Sequence, residues 1–234
     1  MMDLIPFQTV LQHGDLALKG QFMLGSNYTF LVDVHYQDTT VQAVYKPSKG
    51  EQPLWDFPES TLALREVAAY LVSESLGFHI VPFTILRDQG PYGTGSLQQF
   101  IEYDPEYHYF NFSDDDKELL KPVVLFDLLV NNADRKGGHV FFEDETRKLF
   151  AIDHGICFHE DDKLRTVLWD FAGQKIPDDL LSRLQLSPSL LADLEPYLSP
   201  GELSALCARA ESILKKRLFP RQPRDRRAMP WPPL

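Results

Sequence analysis

Asp134, His139 and Asp153 fall within twenty residues of one another, in the stretches Asn131-Asn132-Ala133-Asp134-Arg135-Lys136-Gly137-Gly138-His139-Val140 and Ile152-Asp153-His154-Gly155. Their chemical types suit the transfer of a phosphoryl group. Such a site needs one carboxylate to orient or deprotonate an attacking hydroxyl, a second to hold the metal on the phosphates, and another ligand from the same loop. Asp134, Asp153 and His139 fit those roles in that order. Any one of them alone is as well explained by a solvated charge or a histidine capping a strand; the ordered set is a stronger signal.

The elements between them explain how they could meet. Val140-Phe141-Phe142 and Leu149-Phe150-Ala151-Ile152 are short apolar runs, and Glu143-Asp144-Glu145-Thr146-Arg147 between them is polar enough to turn in solvent, which predicts a hairpin. His139 stands just before the first strand and Asp153 just after the second, so antiparallel pairing carries both to the same open end. Asp134 lies five residues before His139, in a loop loosened by Gly137 and Gly138.

The rest of the chain reads as two lobes. Residues 1–102 carry strand signals at Ala17 to Met23, Tyr28 to Tyr36, Val41 to Lys46, Val81 to Arg87 and Ser96 to Glu102, with a helix over Thr61 to Leu76 that Gly77 ends. Residues 103–219 turn helical after a Tyr-, Asp- and Pro-rich connector. Ser113 and Asp116 predict a cap ahead of an apolar helix reaching Asn131, which Pro122 either divides or starts, and Ser187-Pro188 and Ser199-Pro200-Gly201-Glu202 open helices near 188–197 and 200–218. Residues 220–234, with five prolines and four arginines, have no periodicity and read as an extended segment; on composition alone such an end is disordered, but Trp231 among prolines is a candidate for docking on the body.

A cleft between the lobes has its other wall in the first lobe. Lys46 ends the third strand in Val44-Tyr45-Lys46-Pro47, where it can reach α- and β-phosphates while Glu66, an acid inside the following helix, holds it in place. The turn Gly25-Ser26-Asn27 is a weaker candidate for covering the phosphates, since it is also ordinary hairpin chemistry. The backbone of Gln99 and Ile101, where the last strand leads into the connector, is placed to hydrogen-bond an adenine ring.

These residues carry a resemblance. The chain resembles the kinase-like superfamily, in its phosphatidylinositol 3-/4-kinase-related branch, and is most similar to a small bacterial family of lipid-kinase-like proteins of unknown substrate. Val44-Tyr45-Lys46-Pro47 resembles the lysine strand, and Arg65-Glu66-Val67-Ala68-Ala69-Tyr70 the helix with the pairing glutamate. Asp134 to His139 resembles the catalytic loop D-R-H-x-x-N, and Ile152-Asp153-His154-Gly155 the metal-binding I-D-F-G. The resemblance implies a two-lobed protein-kinase-like fold of the α+β class, ATP as cofactor and Mg2+ or Mn2+ as metal. Three departures stand out. His139 replaces the loop asparagine that binds a second metal, His154 replaces the phenylalanine beneath the metal loop, and Lys136 stands where lipid kinases have histidine, placed to offset γ-phosphate charge. Imidazole suits Mn2+ or Zn2+ better than Mg2+.

Composition narrows the partners. With 44% hydrophobic residues, 234 residues make an adequate core, and a net charge of −11 argues against a nucleic-acid or polybasic membrane surface. The absence of a leader pattern or a membrane-length apolar run predicts a cytoplasmic protein, and two cysteines without a C-x-x-C pattern argue against a disulfide scaffold or structural zinc. The expected partners are a nucleotide and an unassigned acceptor, small molecule or protein, with no nucleic acid and no stable membrane association. Three functions compete: an ATP-dependent phosphotransferase whose acceptor is not a phosphoinositide, a nucleotide-binding regulator without turnover, and a nucleotidyl transferase on the same fold. The retained Asp134 favours the first over the second.

Overall fold

The structure, a computed structural model, describes residues 5–22 and 27–234. Gly25 and Ser26 therefore lie outside the described residues. In chain order the elements are α1 (Phe7–His13), β1 (Asp15–Gln21), β2 (Phe30–Tyr36), β3 (Thr39–Pro47), α2 (Leu62–Ser75), β4 (Thr84–Arg87), β5 (Gly95–Gln99), α3 (Asp114–Glu118), α4 (Lys121–Val130), β6 (Val140–Phe142), β7 (Leu149–Ala151), α5 (Asp178–Leu181), α6 (Pro188–Leu194) and α7 (Pro200–Lys216). The first five strands form one antiparallel sheet in the order β1-β2-β3-β5-β4, and β6 pairs with β7 as a hairpin. An α+β chain with its antiparallel sheet first and its helices mostly last is the architecture that the sequence predicts.

Alternation along the strands separates the sheet's two faces. Phe30, Val32, Val34, Ala43, Tyr45 and Leu97 point to one side, where α1 covers them with Val10 and Leu11. Val44 and Lys46 therefore face the other way, into the space between the lobes. The short helix α1 has no counterpart in the sequence reading; its seven residues are too few for a helical period to stand out.

α2 is the element that joins the lobes. It ends at Gly77, whose φ of +69° suits glycine alone at low cost. Its start is unusual, because Thr61 supplies no side-chain cap. The carboxylate of Glu51 does so instead, accepting the N–H of Leu62 at 3.1 Å and of Ala63 at 3.0 Å. Consecutive buried residues of α2 then reach in different directions. Arg65 pairs with Glu202 of α7 and donates to the Cys157 carbonyl at 2.6 Å, while Glu66 turns toward the cleft.

The second lobe holds the larger core, running from α2 through α4 to α7. Ser113 caps α3 through the Asp116 N–H, and Ser199 and Glu202 form a reciprocal capping box on α7. The apolar helix expected after Ser113 is divided: α3 stops at Glu118, and α4 restarts with Pro122 in its first turn, where a missing N–H costs nothing. The last segment, 220–234, has neither helix nor strand, and hydrogen bonds at Leu164, Thr166 and Gly137 tie it to the body. Among the described residues no helix is long and apolar enough to cross a membrane. Replacing Glu51 with alanine removes the remote cap on α2, and chemical denaturation should show a loss of about 0.5–2 kcal/mol; an unchanged midpoint would mean that water caps the helix equally well.

Candidate active site

A cavity of about 690 Å3 opens between the lobes, and Asp134, Lys136, His139, Asp153, Lys46 and Glu66 all line it. Asn27, Gln99 and Ile101 line it too. The described residues expected to contact nucleotide, metal or acceptor thus all line one cavity, while His154 is buried and does not.

Lys46 is the bridge between the lobes. Its Nζ lies 2.5 Å from Glu66 Oε1 and 2.5 Å from Asp153 Oδ1. Burial pulls the ammonium down, but Asp153 and Glu66 together outweigh it, and its pKa stands above that of ordinary lysine. Burial pushes the Asp153 carboxyl up, and Lys46 more than reverses this, holding it far below the usual carboxylate range. Both groups are therefore charged at neutral pH. Glu66 also accepts the backbone N–H of His154 at 3.1 Å, so one carboxylate fixes both Lys46 and the loop after β7.

Beneath this bridge Arg135 is fully buried. It donates from Nε and Nη2 to the two oxygens of Asp127 at 2.8 and 2.9 Å, and from Nη1 to the carbonyls of His139 at 3.1 Å and Ile152 at 2.6 Å. Nη2 also reaches His154 Nε2 at 2.7 Å. A guanidinium can only donate, so His154 Nε2 accepts and its ring proton sits on Nδ1. Burial and the neighbouring Arg135 keep that imidazole neutral. His154 thus packs as an uncharged ring against Phe126, 5.6 Å between centroids, where the resemblance places a phenylalanine.

His139 is oriented from both sides. Its Nδ1 faces the Lys136 N–H at 3.5 Å and its Nε2 lies 3.1 Å from Asp153 Oδ2, which places the proton on Nε2. Burial lowers its pKa to about 4. In this arrangement His139 donates to Asp153 and aims it. Direct ligation of a metal through Nε2 would require the ring proton to move. No group of three metal-binding side chains occurs among the described residues. The single ionised carboxylate of Asp153, 45% exposed, fits a hard divalent ion that takes most of its ligands from phosphates and water.

Asp134 stands apart from that cluster, with Lys136 Nζ 3.7 Å from its Oδ2. Burial raises its pKa, against the opposing pull of Lys136. Its backbone N–H is held by Asn132 Oδ1 at 2.9 Å, and Asn132 Nδ2 donates to Asp127 Oδ1 at 3.1 Å. The loop carries Gly137 because the ring of Phe110 crosses it: a Cβ there would lie 2.6 Å from the ring.

The apolar end of the cavity has Val44, Pro82, Ile101, Phe141 and Ile152 on its walls, with Tyr103 stacked on Phe141 at 3.9 Å. The Gln99 N–H is already donated to the Phe83 carbonyl, whereas the N–H and C=O of Ile101 have no partner among the described residues. Of the two positions, Ile101 is the one whose backbone groups are open to a ligand. Asn27 Oδ1 accepts the Gln52 N–H, so its side chain fastens the loop to the segment after β3.

Asp127, Asn132 and Glu51 are the functional supports that sequence reading missed. Asp127 did leave a signal, as the only acid in the apolar run Lys121-Pro122-Val123-Val124-Leu125-Phe126-Asp127-Leu128-Leu129-Val130. A charge there needs a partner.

A sheet lobe with a lysine–glutamate pair, facing a helical lobe with a carboxylate on a loop and another after a hairpin, defines the kinase-like class. Residues 61–218 match the family described as Phosphatidylinositol 3- and 4-kinase, and the chain belongs to that family. It is 36% identical to Protein Rv2133c of Mycobacterium tuberculosis, over 95% of this chain and 94% of that one. It is 28% identical to Phosphatidylinositol 4-kinase gamma 4 of Arabidopsis thaliana over 67% of this chain, spanning 37% of the plant protein. Among solved structures, the Helicobacter pylori proinflammatory kinase CtkA shares the fold with a TM-score of 0.53 at 14% identity, covering 88% of this chain and 93% of that one. Family membership supports a phosphotransferase-type activity.

Asp127→Ala would strand the Arg135 guanidinium without its counter-ion, and we expect a loss of about 3–5 kcal/mol in urea unfolding. The double variant Asp127→Leu, Arg135→Met should recover a large part of it; equal instability of both would show that packing, not charge, is what matters there.

Proposed function

We propose that the protein is an ATP- and divalent-metal-dependent kinase acting on an acceptor other than a phosphoinositide. The observation that carries this reading is the Glu66–Lys46–Asp153 bridge across a cleft that also holds Asp134. Lys46, kept charged and aimed by Glu66, exchanges Asp153 for the α- and β-phosphates when the nucleotide enters. Asp153, oriented by the Nε2 proton of His139, would hold a divalent metal, which would supply positive charge to the phosphates. The adenine edge pairs with the free N–H and C=O of Ile101 in the apolar end of the cavity. Asp134 orients the acceptor hydroxyl and takes its proton. Lys136 offsets charge on the γ-phosphate. The acidic chain, with no polybasic segment after Gly155, supports a soluble acceptor over a phosphoinositide.

ATP labelled separately at the α- and γ-positions tests this directly. With Mg2+ or Mn2+ and cell extract as acceptor, γ-label should transfer, and Asp134→Ala or Asp153→Ala should lower the rate by about a hundredfold or more. Transfer of α-label alone would establish nucleotidyl transfer instead, and tight binding without turnover a regulator.

The pH profile gives an independent check. A general base works only when deprotonated, so activity falls as pH drops through the Asp134 pKa. Burial has raised that pKa and Lys136 lowers it, so Lys136→Ala should move the acid limb of kcat/KM to higher pH. A limb that stays in place while the maximum falls would remove Asp134 from the role of base.

A further inference from the structure

Gln98 of β5 lines the cavity together with the apolar side chains of Val44, Pro82, Ile101, Phe141 and Ile152. Strand register explains why a polar side chain stands there. Gln98 pairs with Val44 on β3 and with Thr84 on β4, and residues opposite one another on neighbouring strands share a face of the sheet. Val44 faces the cleft, so Gln98 and Thr84 do as well. Thr84 is covered, 1% exposed and off the cavity wall, whereas Gln98, 4% exposed, is on it.

The amide of Gln98 is held one way round. Its Nε2 donates to Thr84 Oγ1 at 2.8 Å, and the Thr84 hydroxyl donates to the Pro82 carbonyl at 2.8 Å. A carbonyl only accepts, so the single hydroxyl proton is used there and Thr84 Oγ1 can only accept from Gln98. Turning the amide over would set Oε1 against an oxygen with no proton to give. Oε1 itself accepts nothing among the described residues, yet it keeps accessible surface, and Gln98 meets open space at the cavity. A buried amide oxygen without a partner is unfavourable unless a ligand or solvent supplies a donor.

We propose that Gln98 selects the base of the bound nucleotide, its Oε1 accepting a proton from the exocyclic amine of adenine and turning guanine away. The inference deepens the reading of the cleft as a nucleotide site and rests on it. Gln98 lies three residues before Ile101, whose backbone N–H and C=O are open to a base. Adenine carries two protons on its exocyclic nitrogen, where guanine carries a carbonyl oxygen. The Ile101 carbonyl takes one of the two, and the other is left for a side-chain acceptor. An amide oxygen held in place meets that N–H as a hydrogen bond but meets the guanine oxygen as acceptor against acceptor, in apolar surroundings where the mismatch is costly. The orientation is what gives the discrimination. A glutamine free to turn over would offer Nε2 to guanine and serve both bases, and the relay through Thr84 to Pro82 removes that choice.

Equilibrium binding tests this without requiring turnover. ATP, GTP and purine riboside triphosphate, which lacks the exocyclic amine, are titrated with Mg2+ into the full chain, Gln98→Leu and Thr84→Val. The full chain should prefer ATP over either of the others by about a hundredfold, two hydrogen bonds being lost in each case. Gln98→Leu should leave a preference of about tenfold over purine riboside triphosphate, the part owed to Ile101. Thr84→Val keeps the size of a side chain off the cavity wall while freeing the amide, and GTP should gain about tenfold relative to ATP. Ratios between ligands in one protein are unaffected by a lowered folded fraction, so a destabilised variant still reports. An ATP preference over purine riboside triphosphate that Gln98→Leu leaves intact would overturn the proposal, as would a full chain that prefers GTP. An unchanged ATP-to-GTP ratio in Thr84→Val would overturn the fixed orientation. If no triphosphate binds, the nucleotide reading of the cleft fails by itself, and adenosine against guanosine, which need no phosphate or metal contact, decides the role of Gln98: adenosine preferred by the full chain but not by Gln98→Leu upholds it, and equal or absent binding overturns it.

Discussion

One buried guanidinium sets the geometry of the lower half of the cleft. A guanidinium has five N–H groups in a rigid plane, and Arg135 distributes its contacts over Asp127, both ends of the β6–β7 hairpin and the ring of His154. Its position cannot change without breaking several bonds in a dry interior. The loop that carries Asp134, the loop after β7 that carries Asp153 and the hairpin between them are therefore one rigid piece. Asp127 gives the charge its counter-ion, and Asn132 extends the same network to the backbone of Asp134. His154 is neutral because it must accept from this guanidinium. Where the resemblance places a phenylalanine, His154 keeps an aromatic ring beneath the Asp153 loop and adds a hydrogen bond.

The upper half is tied to this piece by charge across a gap. Lys46 lies on the sheet face opposite α1 because side chains alternate along β3, and it meets Asp153 because Glu66 reaches both the lysine and the backbone of His154. His139 completes the arrangement from the other side of Asp153. A histidine in the place of asparagine thus changes the partner more than the site: it aims the carboxylate and stays uncharged, because burial disfavours a second cation beside Lys46.

What could be read from the sequence follows from how local each signal was. The hairpin, the capped helices at Ser187 and Ser199 and the convergence of Asp134, His139 and Asp153 depend on residues near one another in the chain, and the patterns were legible. The Lys46–Glu66 pair was legible because a lysine closing a strand and an acid inside a helix are each uncommon. Glu51 capping α2, Arg65 pairing with Glu202 and Asp127 holding Arg135 were not legible, since each joins residues whose nearness only the fold creates. α1 was too short to show a period. Residues 220–234 follow the same logic, because the partners that order a proline- and arginine-rich segment lie far back along the chain at Leu164, Thr166 and Gly137.

Arg65 and Glu66 stand side by side in α2, one clasped by α7 and the other by Lys46. A state in which α2 swings outward and releases Lys46 would leave a guanidinium unpaired in the core, a penalty of about 3–5 kcal/mol, so fewer than about one molecule in a hundred would occupy it. The engaged position is therefore the strongly favoured one for this helix. Any displacement of α2 therefore has to break the Arg65–Glu202 pair along with the Lys46–Glu66 pair, so the two contacts are kept or lost together.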